Sequence, residues 1–241
     1  MLAFALLQLI GFVKTSRASK ELTLKASLWR WGILALIYGV FFVWYGGSGE
    51  PISSQEAERY LSLAQARPVS EDNRDKTKRD RLVKLHEFIA EDDGQEFVMV
   101  NLNVYREQPL YADGRAVIGS AQEAELEYQR RIVPHLFVRA IHPLLMVDPV
   151  FSFGGIGDFD RQDWSRITLV RYRSRRDFLD FILKTSWGED VDHKWAALDR
   201  SHALAATPLI SFATVRLVPL LFLIVIGLLL DRVSTRSHRV R

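Results

Sequence analysis

The sequence predicts an α+β chain, a ferredoxin-like domain of split βαβ type flanked by two transmembrane helices. Three observations predict it. Two long apolar runs lie near the ends, nearly all charge lies between or beside them, and the intervening stretch reads strand, helix, strand, strand, helix, strand. Of the 241 residues, 48% are apolar and 25% charged, a globular average that conceals this partition.

Residues 1–27 form an N-terminal basic segment. Met1 to Val13 is apolar but short, and its charges follow it rather than precede it, unlike a signal peptide. A helix lying along the cytoplasmic leaflet fits, with a short extra span as the alternative. Residues 28–47 form the first span. No charge occurs from Trp31 to Gly49, with Trp29 and Trp31 at one end and Trp44 and Tyr45 at the other, as two headgroup layers would select. At about 1.5 Å per residue the segment reaches about 30 Å, one hydrocarbon core. The second span, 210–230, includes Arg216, which can snorkel to an interface, and Pro219, which can kink it. A re-entrant or interfacial helix is the alternative there.

Lys14, Arg17, Lys20, Lys25 and Arg30 precede the first span, and Arg232, Arg236, Arg239 and Arg241 follow the second. The positive-inside rule then places both termini, with the basic tail 231–241, in the cytoplasm and residues 48–209 outside a cytoplasmic (inner) membrane, which is the periplasm if the source is bacterial. Without these flanks and Arg216, 22 basic residues face 27 acidic ones. An acidic folded domain argues against nucleic acid as a partner. There is no cysteine, which excludes disulfides and thiol chemistry.

Residues 48–94 read as a linker and helical extension. Gly46 to Pro51 stops the first helix, Ser54 to Gln65 is a capped helix, Pro68 to Arg81 is a solvated charge run, and a helix covers about 80–90. The ferredoxin-like domain occupies 95–209. Phe97 to Tyr105 is a strand by alternation and β-branching. About 120–140 is a helix interrupted at Pro134, and Pro143 to Phe153 a second strand with a turn at Gly154–Gly157. Trp164 to Tyr172 is a third strand. Arg175 to Trp187 and Val191 to His202 are helical, and Ala203 to Leu209 is a short fourth strand. A sheet whose helices cover one face must bury the other, and face-to-face homodimerisation would close two sheets into one barrel.

Met99-Val100-Asn101-Leu102, Tyr128, Val133-Pro134, Trp164 and the run from Ile167 to Leu179 resemble a small uncharacterised bacterial family of dimeric α+β barrels. The resemblance covers about residues 95–208, and Arg171 to Leu179 is its specific part. Position 173 is Arg where the family tends to have Pro, and the spans and residues 48–94 lie outside the usual domain. The resemblance implies the fold and the dimer, and brings no agreed activity or catalytic residue. The wider superfamily includes cofactor-free oxygenases, isomerases, haem-handling enzymes and ligand sensors, so fold does not select a function.

No metal motif, nucleophile elbow or phosphate loop occurs, and no cofactor is implied. His193 and His202 fall nine apart on the helix expected there, too far to share a metal. Arg171, Arg173, Arg175 and Arg176 form a basic cluster at a strand-to-helix turn, read as solvated. Alternation supplies the candidate site. Val98, Val100, Leu102 and Val104, with Ile167 and Leu169, are expected to face the helices. Asn101, Asn103, Tyr105, Arg166, Thr168 and Tyr172 then converge on the other face, inside the dimer barrel, with Phe97 and Met99. His142 joins them from the second strand as the weak candidate for proton transfer, with Asp148. These readings favour a membrane-anchored accessory or ligand-binding protein, with a membrane-protein partner as an option. The alternative is a cofactor-free oxygenase or isomerase acting on a hydrophobic molecule in the chamber.

Overall fold

The computed structural model describes residues 2–66, 74–115, 119–151, 164–185, 189–209 and 215–237, with no side-chain description for 2–23, 74–78, 184–185, 189–190 or 235–237. Among them are seven helices and four strands, in the order α1 (Leu2–Gly46), α2 (Ser54–Gln65), α3 (Arg74–Ala90), β1 (Phe97–Tyr105), α4 (Ala121–Val138), β2 (His142–Val147), β3 (Arg166–Tyr172), α5 (Arg175–Thr185), α6 (Glu189–Ala197), β4 (Leu198–Ala206) and α7 (Leu217–Ser237). The chain divides into two compact units, Met1–Val43 with Phe212–Arg241, and Trp44–Ser211.

In the first unit, Leu24–Gly46 and Leu217–Ser234 are long and apolar enough to cross a membrane. Their large side chains, among them Leu28, Trp29, Leu36, Val43, Leu221 and Phe222, point outward. The two helices meet at Gly227, where a Cβ would stand 2.6 Å from the Trp31 ring. Beside this contact the Asp231 carboxylate accepts from Ser27 Oγ at 2.9 Å and Trp31 Nε1 at 2.8 Å and pairs with Arg30. The backbone of α1 is helical without interruption from Leu2 into the apolar run. Arg216 lies before α7 rather than inside it, with its guanidinium 5.4 Å from the Phe42 ring centre. Residues 210–214 of the expected second span lie outside the described residues.

The second unit is built on an antiparallel sheet of order β2-β3-β1-β4, with β3 inserted between β1 and β2. One face packs on α3, α4 and α5. Phe97, Met99, Ile132, Ile141, Tyr172 and Phe181 form its centre, with Phe88 and Phe178 closing in. The ring centres of Phe97, Tyr172 and Phe178 lie 5.0–5.8 Å apart, in stacked and edge-on pairs.

This reverses the expected facing. The face of β1 and β3 that carries the aromatics and the asparagines looks toward the helices. Val98, Val100, Leu102, Val104, Ile167 and Leu169 look away. Both faces are apolar, so alternation alone did not rank them. Burying several aromatic rings removes more area from water than burying the aliphatic set.

Helix α4 starts with a reciprocal cap. Ser120 Oγ accepts from Glu123 N at 3.2 Å, and Glu123 accepts from Ser120 N at 2.7 Å. Pro134 sits inside α4 without breaking it; it is exposed, so water can satisfy the carbonyl it leaves unpaired. The helix ends with Ala140 N and Ile141 N donating to the carbonyls of Phe137 and Leu136, which puts Ala140 at φ 50°. Helix α6 ends at Ala197, not His202. The carbonyls of Ala196 and Ala197 accept from Leu110 N and Arg106 N, and the chain then pairs with β1 from Val98 to Tyr105. Pairing with a central strand overrides the local helical preference of the alanines. His202 therefore lies on β4, and β2 ends at Val147 rather than Phe153. The expected turn at Gly154–Gly157 and much of the charge run near 68–73 lie outside the described residues.

Helices α2 and α3 pack on the domain. Tyr60, Ile89 and Leu179 form a second core joining α2, α3 and α5, and Tyr60 OH donates to Asp180 at 2.9 Å. The arginine cluster is not a solvated turn. Arg171 donates to Glu96 and to the carbonyls of Tyr45 and Ala140, and Arg173 to Asp177 and Trp44 O. Arg175 donates to Phe88 O, and Arg176 to Pro51 O and Glu56. The carbonyls of Trp44 and Tyr45 end a helix and carry its partial negative charge, so cations at this turn satisfy them.

Candidate functional site

The reversed facing places a cavity of about 400 Å³ inside one chain, between the sheet and its helices. Met99, Asn101 and Asn103 of β1 and Thr168, Val170 and Tyr172 of β3 form the floor, edged by Pro143, Met146 and Ala203. Helix α4 supplies Glu125, Tyr128, Gln129, Ile132, Val133 and Leu136, spaced to share one face. Helix α5 adds Phe178, Phe181 and Ile182, and α6 adds Val191, Lys194 and Trp195. A comparable volume against Leu28, Trp29, Gly32, Ile33 and Leu36 of α1 is an open groove along an apolar helix, lined by no charged side chain.

The register brings the expected residues together. Asn101 stands opposite Thr168, and Asn103 opposite Arg166. Asn103 is buried, and its Oδ1 accepts from Ser201 Oγ at 2.8 Å across the β1–β4 pair. Asn101 Nδ2 makes a long contact of 3.4 Å to Met99 O. Tyr105 and Arg166 stand at one end, joined to the lining through Glu125. That carboxylate is 6% exposed and accepts from Tyr105 OH and from Arg166 Nη1 at 3.3 Å. Arg166 also grips Asp148 with two bonds, Nε to Oδ1 at 2.7 Å and Nη2 to Oδ2 at 2.9 Å. The series Tyr105, Glu125, Arg166, Asp148 runs from the cavity lining at Glu125 to the surface at Asp148.

His142 does not belong to it. Its register partner is Arg171, on the sheet face away from the cavity, and its Nε2 lies 2.8 Å from Tyr45 OH with the two rings stacked. Strand alternation turns Pro143 toward the cavity and His142 away, and the bulge between Pro143 and Leu145 lets Met146, three residues on, share the face of Pro143.

Burial sets the electrostatics. It pushes the Glu125 carboxyl up, against the pull of Arg166 and Lys194. It pushes the Lys194 amine down, against Glu125. It raises the Tyr128 hydroxyl to about 12 and the Tyr172 hydroxyl further. Asp148, at the surface, is held low by its bonds from Arg166. The Lys194 ammonium lies 5.6 Å from the Tyr128 ring centre and 5.3 Å from that of Trp195. It makes no hydrogen bond or ion pair to any described residue.

Glu125, Tyr128, Gln129, Lys194 and Trp195 were missed by strand alternation because they come from helices. One signal was available. Glu125 falls on the same helical stripe as Tyr128, Ile132 and Leu136, and a carboxylate on an apolar stripe needs a buried partner.

Neither a protein-family model nor a curated protein matches the chain. Two solved structures from Rhodopseudomonas palustris, a protein of unknown function and its methylated form, align with a TM-score of 0.46 each. They are 20% and 23% identical, covering 59% and 60% of this chain and 100% and 99% of their own.

Proposed function

We propose that this is a membrane-anchored protein that binds a small, largely apolar molecule in the cavity between its sheet and helices. The observation that carries the reading is the cavity itself. About 400 Å³ is framed mainly by apolar and aromatic side chains, with Asn101, Thr168, Gln129, Glu125 and Lys194 as polar points. In this reading α1 and α7 span a cytoplasmic membrane, both termini are cytoplasmic and residues 48–209 lie outside. The outward-facing apolar side chains of both helices and the basic residues beside them support it. In the same reading the domain is of ferredoxin-like split βαβ type, and the strand order with β3 between β1 and β2 supports it. The outer sheet face, with Leu145, Val147 and Leu204 exposed, would be covered by a second copy, as in the bacterial family that residues 95–208 resemble.

A second reading, a cofactor-free isomerase or oxygenase, is favoured by Glu125 and Lys194. Burial raises the Glu125 carboxyl and lowers the Lys194 amine in one cavity, which brings the proton affinities of an acid and a base closer together. Native mass spectrometry of the protein extracted gently from its own membranes tests the leading reading. A homodimer carrying a small molecule is expected. An empty cavity in a heteromeric assembly would replace it with an accessory-subunit role. The chain lacks cysteine, so single-cysteine variants test the topology cleanly. Gln108→Cys is expected to react with an impermeant maleimide from outside, and Ser237→Cys only after permeabilisation.

A further inference from the structure

Lys194 is the one ammonium group among the residues framing the cavity, and the bonding around it is unusual. Every other charged residue of the site has a charged or hydrogen-bonding partner: Glu125 has Tyr105 and Arg166, and Arg166 has Asp148. Lys194 has only two aromatic rings and the field of Glu125. The amine is half-buried at the cavity wall, makes no hydrogen bond to any described residue, and is lowered by the desolvation it does suffer. Such an amine is also the nucleophile that carbonyl chemistry needs, because only its neutral form carries a free lone pair. We propose that Lys194 captures an apolar aldehyde or ketone covalently, as an imine, inside the cavity.

The step balances without an oxidant or reductant. The Lys194 Nζ lone pair forms a C–N bond to the carbonyl carbon, and the C=O π pair moves to oxygen. A proton passes from nitrogen to that oxygen, giving the carbinolamine. The Glu125 carboxyl, which burial holds toward its protonated form, then supplies a proton to the hydroxyl; the C–O bond breaks and water leaves. The imine nitrogen returns its remaining proton to the Glu125 carboxylate. Asn101 and Thr168 on the floor offer hydrogen-bond donors to the carbonyl oxygen before attack. The apolar walls from Ile132, Leu136, Phe181 and Ile182 suit a hydrocarbon chain, which a bilayer delivers.

The inference rests on the cavity being a ligand site, so the experiment separates the two. The full chain in detergent is treated at pH 7 with decanal and sodium cyanoborohydride, and lysine modification is mapped by peptide mass spectrometry. Lys194 is expected to be alkylated at least about tenfold faster than exposed Lys84. Lys194→Met and Lys194→Arg are expected to lose the fast adduct, and decan-1-ol, which cannot form an imine, is expected to bind the unsubstituted chain. Modification of Lys194 no faster than Lys84 overturns the inference. If decan-1-ol still binds in that case, the cavity remains a ligand site; if it does not, both readings fall.

Discussion

Ala140 carries a backbone cost that glycine would not. At φ 50° its Cβ crowds the following carbonyl, yet the position is held because its own carbonyl accepts from Arg171 Nη1 at 3.1 Å. Ala140→Gly is expected to stabilise the domain by about 1 kcal/mol, read as a higher denaturant midpoint. Glu125 works in the opposite sense to most surface carboxylates. Its native value is raised, so the folded state binds more protons than the unfolded state above the ordinary carboxylate range. Stability therefore falls as pH rises from that range through the native value. Glu125→Gln retains an acceptor for Tyr105 OH and cannot ionise. It is expected to flatten this part of the stability profile, and an unchanged slope would remove Glu125 as its source.

The helices show the same logic one level up. Helix α2 is held at its start by Ser53 and Glu56, each bonding the other's backbone N–H, and Arg176 also pairs with Glu56. The Glu56 carboxyl is lowered to about 2, first by its bond from the Ser53 backbone. A lowered carboxylate adds stability above its unfolded value and loses it as pH falls toward about 2. Ser53→Ala is expected to cost about 1 kcal/mol at neutral pH and less near pH 2, in thermal melts at both values. At the apolar helix pair, Gly227→Leu forces a side chain into the Trp31 ring and is expected to cost about 1–3 kcal/mol. Gly39→Leu is the control, since nothing stands within 4 Å of a Cβ there. Equal melting shifts for the two would contradict close packing at Gly227.

At the scale of the whole molecule, the sheet has one face spent on the cavity and its helices and another that exposes apolar area. Leu204 on edge strand β4 is 46% exposed, so a charge there costs the monomer little. In a dimer closed through this face it would be desolvated and unpaired. Leu204→Glu is therefore expected to weaken self-association by about 100-fold or more, with an unchanged far-UV spectrum. A dimer that survives this substitution would place the interface elsewhere.

Residue order alone determined the two apolar helices, because unbroken apolar length is a property of the chain. It also determined the order of strands and most helices, since the 2.0 and 3.6 periods are written locally. The grouping of Asn101, Asn103, Thr168 and Tyr172 on one face followed from the same period. Which face that was could not follow, because Val98 to Val104 and Phe97 to Tyr105 are both apolar enough to be buried. Only the packing of Phe88, Phe178 and Phe181 against Phe97 and Tyr172 decided it. That choice moved the candidate site from a dimer interior to the inside of one chain and turned His142 out of it. It also brought in Glu125 and Lys194, more than 65 positions apart, whose chemistry depends on shared burial that no local pattern encodes.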